Sequence, residues 1–142
     1  MRALLDVNVL IALFDSAHLR HRDARDWLTA QIRDGWASCP ITENGFVRII
    51  SQPAYPQAIS PSRAIRMLAD AAATEHHEFW PDEVSLLDAR RFAHDRIHGP
   101  RQLTDAYLLA LAVSRKGRFV TFDNAVVSSA VRGVGAGQLV VL

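Results

Sequence analysis

The chain has 142 residues, 49% of them hydrophobic and 22% charged, with a formal net charge of +1. That length suits a single domain burying roughly two-thirds of its unfolded surface, and the ordinary composition excludes a disordered, collagen-like or low-complexity protein. The near-neutral charge exerts no global pull toward nucleic acid or membrane, yet every basic side chain except Lys116 is arginine, which suits bidentate contacts with phosphate or carboxylate.

Taken in order, Ala3 to Leu5 reads as a short buried strand and Val7 to Phe14 as a short helix, so a strand-to-helix turn falls at Asp6. The apolar run after Arg2 has the outline of a signal peptide, but Asp6 and Asn8 interrupt it and no convincing cleavage site follows. A helix with Leu19, Trp27, Leu28 and Ile32 on one face spans His18 to Arg33 and stops at Gly35. Trp36 to Cys39 is a second strand, closed by Pro40, and Ile41 to Ser51 a helix. Cys39, the only cysteine, is expected to be a buried, inert thiol; with no disulfide possible and no stretch of membrane-spanning length, the sequence reads as cytoplasmic. The proline-rich segment Gln52 to Ser62 is an ordered loop, and Ser60 caps a helix running to about Thr74. Glu78 to Trp80 is a strand candidate, followed by a helix from about Glu83 to His98 that Gly99 and Pro100 end. From Leu103 a helix apolar on nearly every side is the most buried one. Phe119 to Phe122 is a strand, a short helix follows Asn124, and Gln138 to Leu142 closes the chain as a strand.

Short apolar strands alternating with helices predict a three-layer α/β/α fold with a central, mostly parallel sheet of about five strands, forming one domain over residues 1–142. Such sheets take ligands in the crevice at the carboxyl ends of their strands. Asp6, Glu43 and Asp123 stand at or just beyond three of those ends, and Asp105 opens the buried helix. Each alone is explained equally well as a helix-start acid that caps free N–H groups. Their convergence argues for more. Carboxylates about 5 Å apart repel by about 3 kcal/mol per pair at an effective dielectric near 20, a conflict that a divalent cation removes. Oxygen ligands without histidine or thiolate suit Mg²⁺ or Mn²⁺, which would polarise a phosphoryl oxygen and activate a water for attack on a phosphodiester.

Asp6 in LLDVNVL, Glu43 in TENGFVRI, Asp105 in LTDAYLLALA and Asp123 in TFDNAV resemble, in order and approximate spacing, the four acidic motifs of PIN-domain ribonucleases, above all VapC-type toxins of bacterial toxin–antitoxin pairs. The resemblance covers nearly the whole chain. It implies a Mg²⁺- or Mn²⁺-dependent endoribonuclease, usually a homodimer, acting on RNA and held inactive by a VapB-like antitoxin. It also implies catalytic roles for Asp6, Glu43, Asp105 and Asp123, with the metal on Asp6, Asp105 and Asp123. Asn8 would orient a ligand or water, and Thr104 and Thr121 would hold neighbouring acids, unless they are simply a cap and a strand residue.

Other readings are weaker. Gly133, Gly135 and Gly137 precede a strand instead of following one, so they make a turn and not a dinucleotide loop. His94 and His98, four apart, lack a third zinc ligand and read as an exposed helical pair. Asp6-x-Asn8 after a strand suggests an aspartyl-nucleophile phosphotransferase similar to the haloacid dehalogenases, but that family places a second aspartate where Asn8 stands. A PIN-like module that binds RNA or protein without cutting is the non-catalytic alternative, with Arg20, Arg22 and Arg25, or Arg90, Arg91 and Arg96, lining its surface.

Overall fold

A computed structural model describes all 142 residues. Five strands, β1 (Ala3–Leu5), β2 (Trp36–Ser38), β3 (His77–Phe79), β4 (Arg118–Thr121) and β5 (Leu139–Val141), form one sheet in the order β3-β2-β1-β4-β5. Every pairing is parallel, with Leu4 opposite Ala37 on one side and Phe119 on the other. The chain moves outward from β1 through β2 to β3, then crosses back to β4 and β5. The strand order therefore reverses between β1 and β4, where a ligand crevice opens in sheets of this type.

The helices are α1 (Val7–Phe14), α2 (His21–Gln31), α3 (Pro40–Ile50), α4 (Pro61–Ala72) and α5 (Leu103–Ser114). Alternate strand residues face opposite layers, as a period of two demands. Ala3, Leu5, Trp36 and Val120 pack with α1 to α4, whereas Leu4, Ala37 and Phe119 pack with α5. Leu4 and Leu5 are wholly buried on opposite faces, each contributing about 2 kcal/mol of apolar burial. Helix starts follow local chemistry: Ser60 accepts a hydrogen bond from the Arg63 amide, Pro61 and Pro40 occupy first helical positions, and Thr42 Oγ1 accepts from the Cys39 amide at 3.0 Å. No helix is long and apolar enough to cross a membrane. Cys39 is fully buried, and burial pushes its thiol up to about 11.

The expected helix from Glu83 to His98 does not form. Ser85 Oγ accepts from the Leu87 amide and Asp88 Oδ1 from the Arg90 amide, so side chains take amides that a helix would use. Phe92 then pairs antiparallel with Val131, which buries Phe92 and Ala93 in an extended segment ending in one 3₁₀ turn at His94–Arg96. His94 and His98 consequently share no helical face, and the His94 ring meets the Leu86 carbonyl at 2.8 Å. After Asn124 there is only a 3₁₀ turn, Ser128–Ala130. Gly133 and Gly137 adopt positive φ in the turn that enters β5.

Candidate active site

The site is built at the carboxyl ends of β1 and β4. The Asp6 amide donates to the Val120 carbonyl at 2.9 Å, which carries the β1–β4 ladder one residue past the strand and fixes Asp6 at the crevice. Its backbone is extended, α1 begins at Val7, and Oδ1 accepts from the Val7 amide at 2.7 Å. Asp6 is thus a helix cap, as its place at a helix start implies, but Oδ2 has a second employment. It accepts from the Thr121 hydroxyl at 2.6 Å, and Asp6 is only 8% exposed.

Thr121 organises the neighbourhood. With its proton given to Asp6, its oxygen accepts from the Asp123 amide at 3.0 Å and from Asn8 Nδ2 at 3.3 Å. Asn8 Oδ1 in turn accepts from the Phe122 amide. Thr121 thus bonds Asp6 directly, and Asn8 bonds Thr121 and the Phe122 amide. Asp123 is exposed, and its Oδ1 takes the Ala125 amide at 2.7 Å in a local turn. Asp105 lies in the first turn of α5, which has no side-chain cap, and no protein donor reaches its carboxylate. Thr104 neither caps α5 nor bonds Asp105; it lines the cavity beside Asp6 instead.

Electrostatics tie three of the acids together. Burial, then the charges of Asp6 and Asp123, push the Asp105 carboxyl up to about 6. Burial also raises Asp6 despite its hydrogen bonds, with Asp123 adding to the rise. A helix N-terminus ordinarily favours the ionised acid, so desolvation and like charge outweigh the dipole at Asp105.

Glu43 points elsewhere. Its Oε1 accepts from Ser38 Oγ at 2.6 Å, and Ser38 Oγ lies 2.8 Å from His77 Nε2. Since the serine proton goes to the glutamate, His77 donates to the serine oxygen. Glu43 also lines an apolar groove between α3 and α4, with Pro40, Val47, Ile65 and Leu68. The polar α3 side chains that share a cavity of about 570 Å³ with Asp6 are Asn44 and Arg48, joined by Asp82 and Thr104. Asp82 and Arg48 were not singled out in the sequence. The spacing of Asn44 and Arg48, one helical turn apart, was the available signal, but it has meaning only once α3 is placed.

No three His, Cys, Asp or Glu side chains stand in the arrangement of a preformed metal site. The donor set nevertheless fits a hard cation: Asp6, Asp105 and Asp123 offer only oxygen, and Asp105 has two anionic neighbours and no donor. Ligation would need side-chain rotation, which the exposed Asp123 is freest to make. An aspartyl nucleophile at Asp6 fits poorly, because both its oxygens are engaged by donors and Asn8 is turned to Thr121.

The PIN domain family model matches residues 3–130. Ribonuclease VapC44 of Mycobacterium tuberculosis (strain ATCC 25618 / H37Rv) is 57% identical over 142 residues, the whole of both chains. Ribonuclease VapC39 of the same strain is 44% identical over 135 residues, 94% of this chain and 97% of its own. Ribonuclease VapC38, also of that strain, is 48% identical over 122 residues, 85% of this chain and 84% of its own. With matches that run essentially end to end over an all-parallel α/β/α sheet, this chain belongs to the PIN-domain family of VapC ribonucleases.

Proposed function

We propose that the chain is the toxin of a type II toxin–antitoxin pair, an endoribonuclease that hydrolyses RNA phosphodiester bonds with Mg²⁺ or Mn²⁺ held by Asp6, Asp105 and Asp123. The observation that carries this reading is the gathering of three acids at the β1–β4 switch point, one of them, Asp105, without any hydrogen-bond donor. The names of the relatives, all ribonucleases, support the activity. When bound, the ion supplies Lewis acidity toward a phosphoryl oxygen and makes water more acidic.

The protein's own contribution is positioning. Thr121 holds the Asp6 carboxylate and the Asp123 backbone at once, so the two acids keep their separation when substrate enters. Asn8 braces Thr121 from α1, and the buried β1–β4 ladder beneath gives the set a rigid floor. Asp105, presented by the buried helix α5, brings the charge that most needs a cation. Glu43, bonded to Ser38, belongs to the perimeter and not to the ion's immediate ligands. Family membership supports a VapB-like antitoxin as partner and a homodimer as the assembly.

The test is cleavage of RNA with Mn²⁺ or Mg²⁺ present, repeated after chelation and with Asp105→Asn. Both treatments should abolish cleavage while the fold persists by circular dichroism. Undiminished cleavage by the variant would sink the mechanism, and RNA binding with no cleavage under any metal would favour a non-catalytic module.

A further inference from the structure

We infer that Arg48 binds the RNA phosphate at the carboxylate site, a proposal that rests on the ribonuclease reading above. A phosphodiester carries a negative charge and must approach three carboxylates. A cation held by those acids answers only one side of that anion, and the other side needs a donor facing the acids across the cavity. Arg48 shares a cavity of about 570 Å³ with one of those acids, Asp6, together with Asn44 one turn earlier on the same helix and Thr104, the residue before Asp105 on α5. Its side chain is exposed and takes part in none of the protein's ion pairs, although Asp6 and Asp82 line the same cavity. Its guanidinium is therefore free to place two parallel N–H bonds on the two non-bridging phosphate oxygens. The Asn44 amide and the Thr104 hydroxyl supply neutral donors to the same rim.

The backbone fixes this wall. Gly45, between Asn44 and Arg48, lies against α1: a Cβ there would meet Val7 Cγ2 at 2.6 Å, so glycine lets α3 press onto the first turn of α1. Phe14 and Phe46, with ring centroids 5.1 Å apart, clamp the same two helices farther along. The distance from Arg48 to Asp6 is thereby set by helix packing, and not by a loop.

The experiment compares wild type, Arg48→Ala and Arg48→Lys, with Arg66→Ala, an exposed arginine on α4, as control. Each is measured for steady-state cleavage of a fluorogenic single-stranded RNA, for Mn²⁺ affinity by calorimetry, and for melting temperature. RNA affinity and its salt dependence are read by anisotropy in the cleavage-inactive Asp105→Asn background. Arg48→Ala should lower kcat/KM by about tenfold or more, as loss of a charge-assisted bidentate contact does, and reduce the salt slope of binding by about 0.7. Arg48→Lys should keep the salt slope and recover only part of kcat/KM, since a point charge replaces the fork. Mn²⁺ affinity and melting should not move in either variant. Cleavage and binding by Arg48→Ala within about twofold of wild type would overturn the proposal, as would a loss matched by equal losses of Mn²⁺ affinity or stability. If instead Asp105→Asn cleaves normally, it is the ribonuclease mechanism that fails and not the role of Arg48 alone.

Discussion

Replacing Asp105 by asparagine should stabilise the metal-free protein while destroying its activity. In the folded chain the Asp105 carboxyl is moved from its ordinary value of 3.8 to about 6, first by burial and then by Asp6 and Asp123. That displacement corresponds to about 3 kcal/mol, and because the group is only half buried, solvent screening reduces it to about 1–2 kcal/mol. The folded state keeps a proton that the unfolded chain releases as pH rises from about 4 to about 6, so ionisation of Asp105 costs stability across that window, and the deficit persists above it. Asparagine has the same shape and no charge. Urea or thermal unfolding in chelator should therefore find the two proteins equal near pH 4 and Asp105→Asn more stable by about 1–2 kcal/mol near pH 8, or about 3–6 °C in Tm for a domain of this size. Mn²⁺ at about a hundred times its Kd should add about 2.7 kcal/mol to wild type and leave the variant unmoved. Equal stabilities near pH 8, or a less stable variant, would refute the claim that Asp105 is a charge held without a partner.

Thr121→Val keeps the shape of a fully buried side chain and deletes the hydroxyl that serves Asp6, Asn8 and the Asp123 amide. It should cost about 1–3 kcal/mol in urea denaturation and lower RNA cleavage more than about tenfold, while Thr121→Ser restores most of both. Glu43→Gln breaks the bond to Ser38 but removes no charge from the Asp6–Asp105–Asp123 group, so Mn²⁺ affinity by calorimetry should stay within about threefold of wild type. Loss of metal affinity by Glu43→Gln comparable to that of Asp105→Asn would place Glu43 among the ion's immediate ligands.

Strand positions were legible because each buried strand is a short apolar run that ends at a turn or at a helix start. Asp6 could be placed at a strand end for a physical reason: a carboxylate in the middle of β1 would have been buried without a partner. The segment after Trp80 was illegible for the converse reason. Its charges and apolar residues are spaced like a helix, yet Ser85 and Asp88 offer their own hydrogen bonds to nearby amides, and Phe92 gains more by pairing with Val131 across the fold than from a local helix. Local spacing also could not tell in which direction the first turn of α3 points. Successive helical residues are about 100° apart, so a small rotation decides whether Glu43 or Asn44 faces Asp6. Here the Ser38 hydroxyl and His77 draw Glu43 toward β2 and β3, leaving the cavity wall to Asn44 and Arg48. Asp82 follows an edge strand in an irregular loop, and nothing in its sequence neighbourhood announces that the loop folds over the same cavity.

A crystal structure of the protein soaked in Mn²⁺, read by anomalous scattering, tests the central claim most directly. The account predicts a manganese peak coordinated by Asp6, Asp105 and Asp123, with Glu43 still bonded to Ser38. A peak held by Glu43 and His77, or no peak at a concentration that supports RNA cleavage, would contradict it.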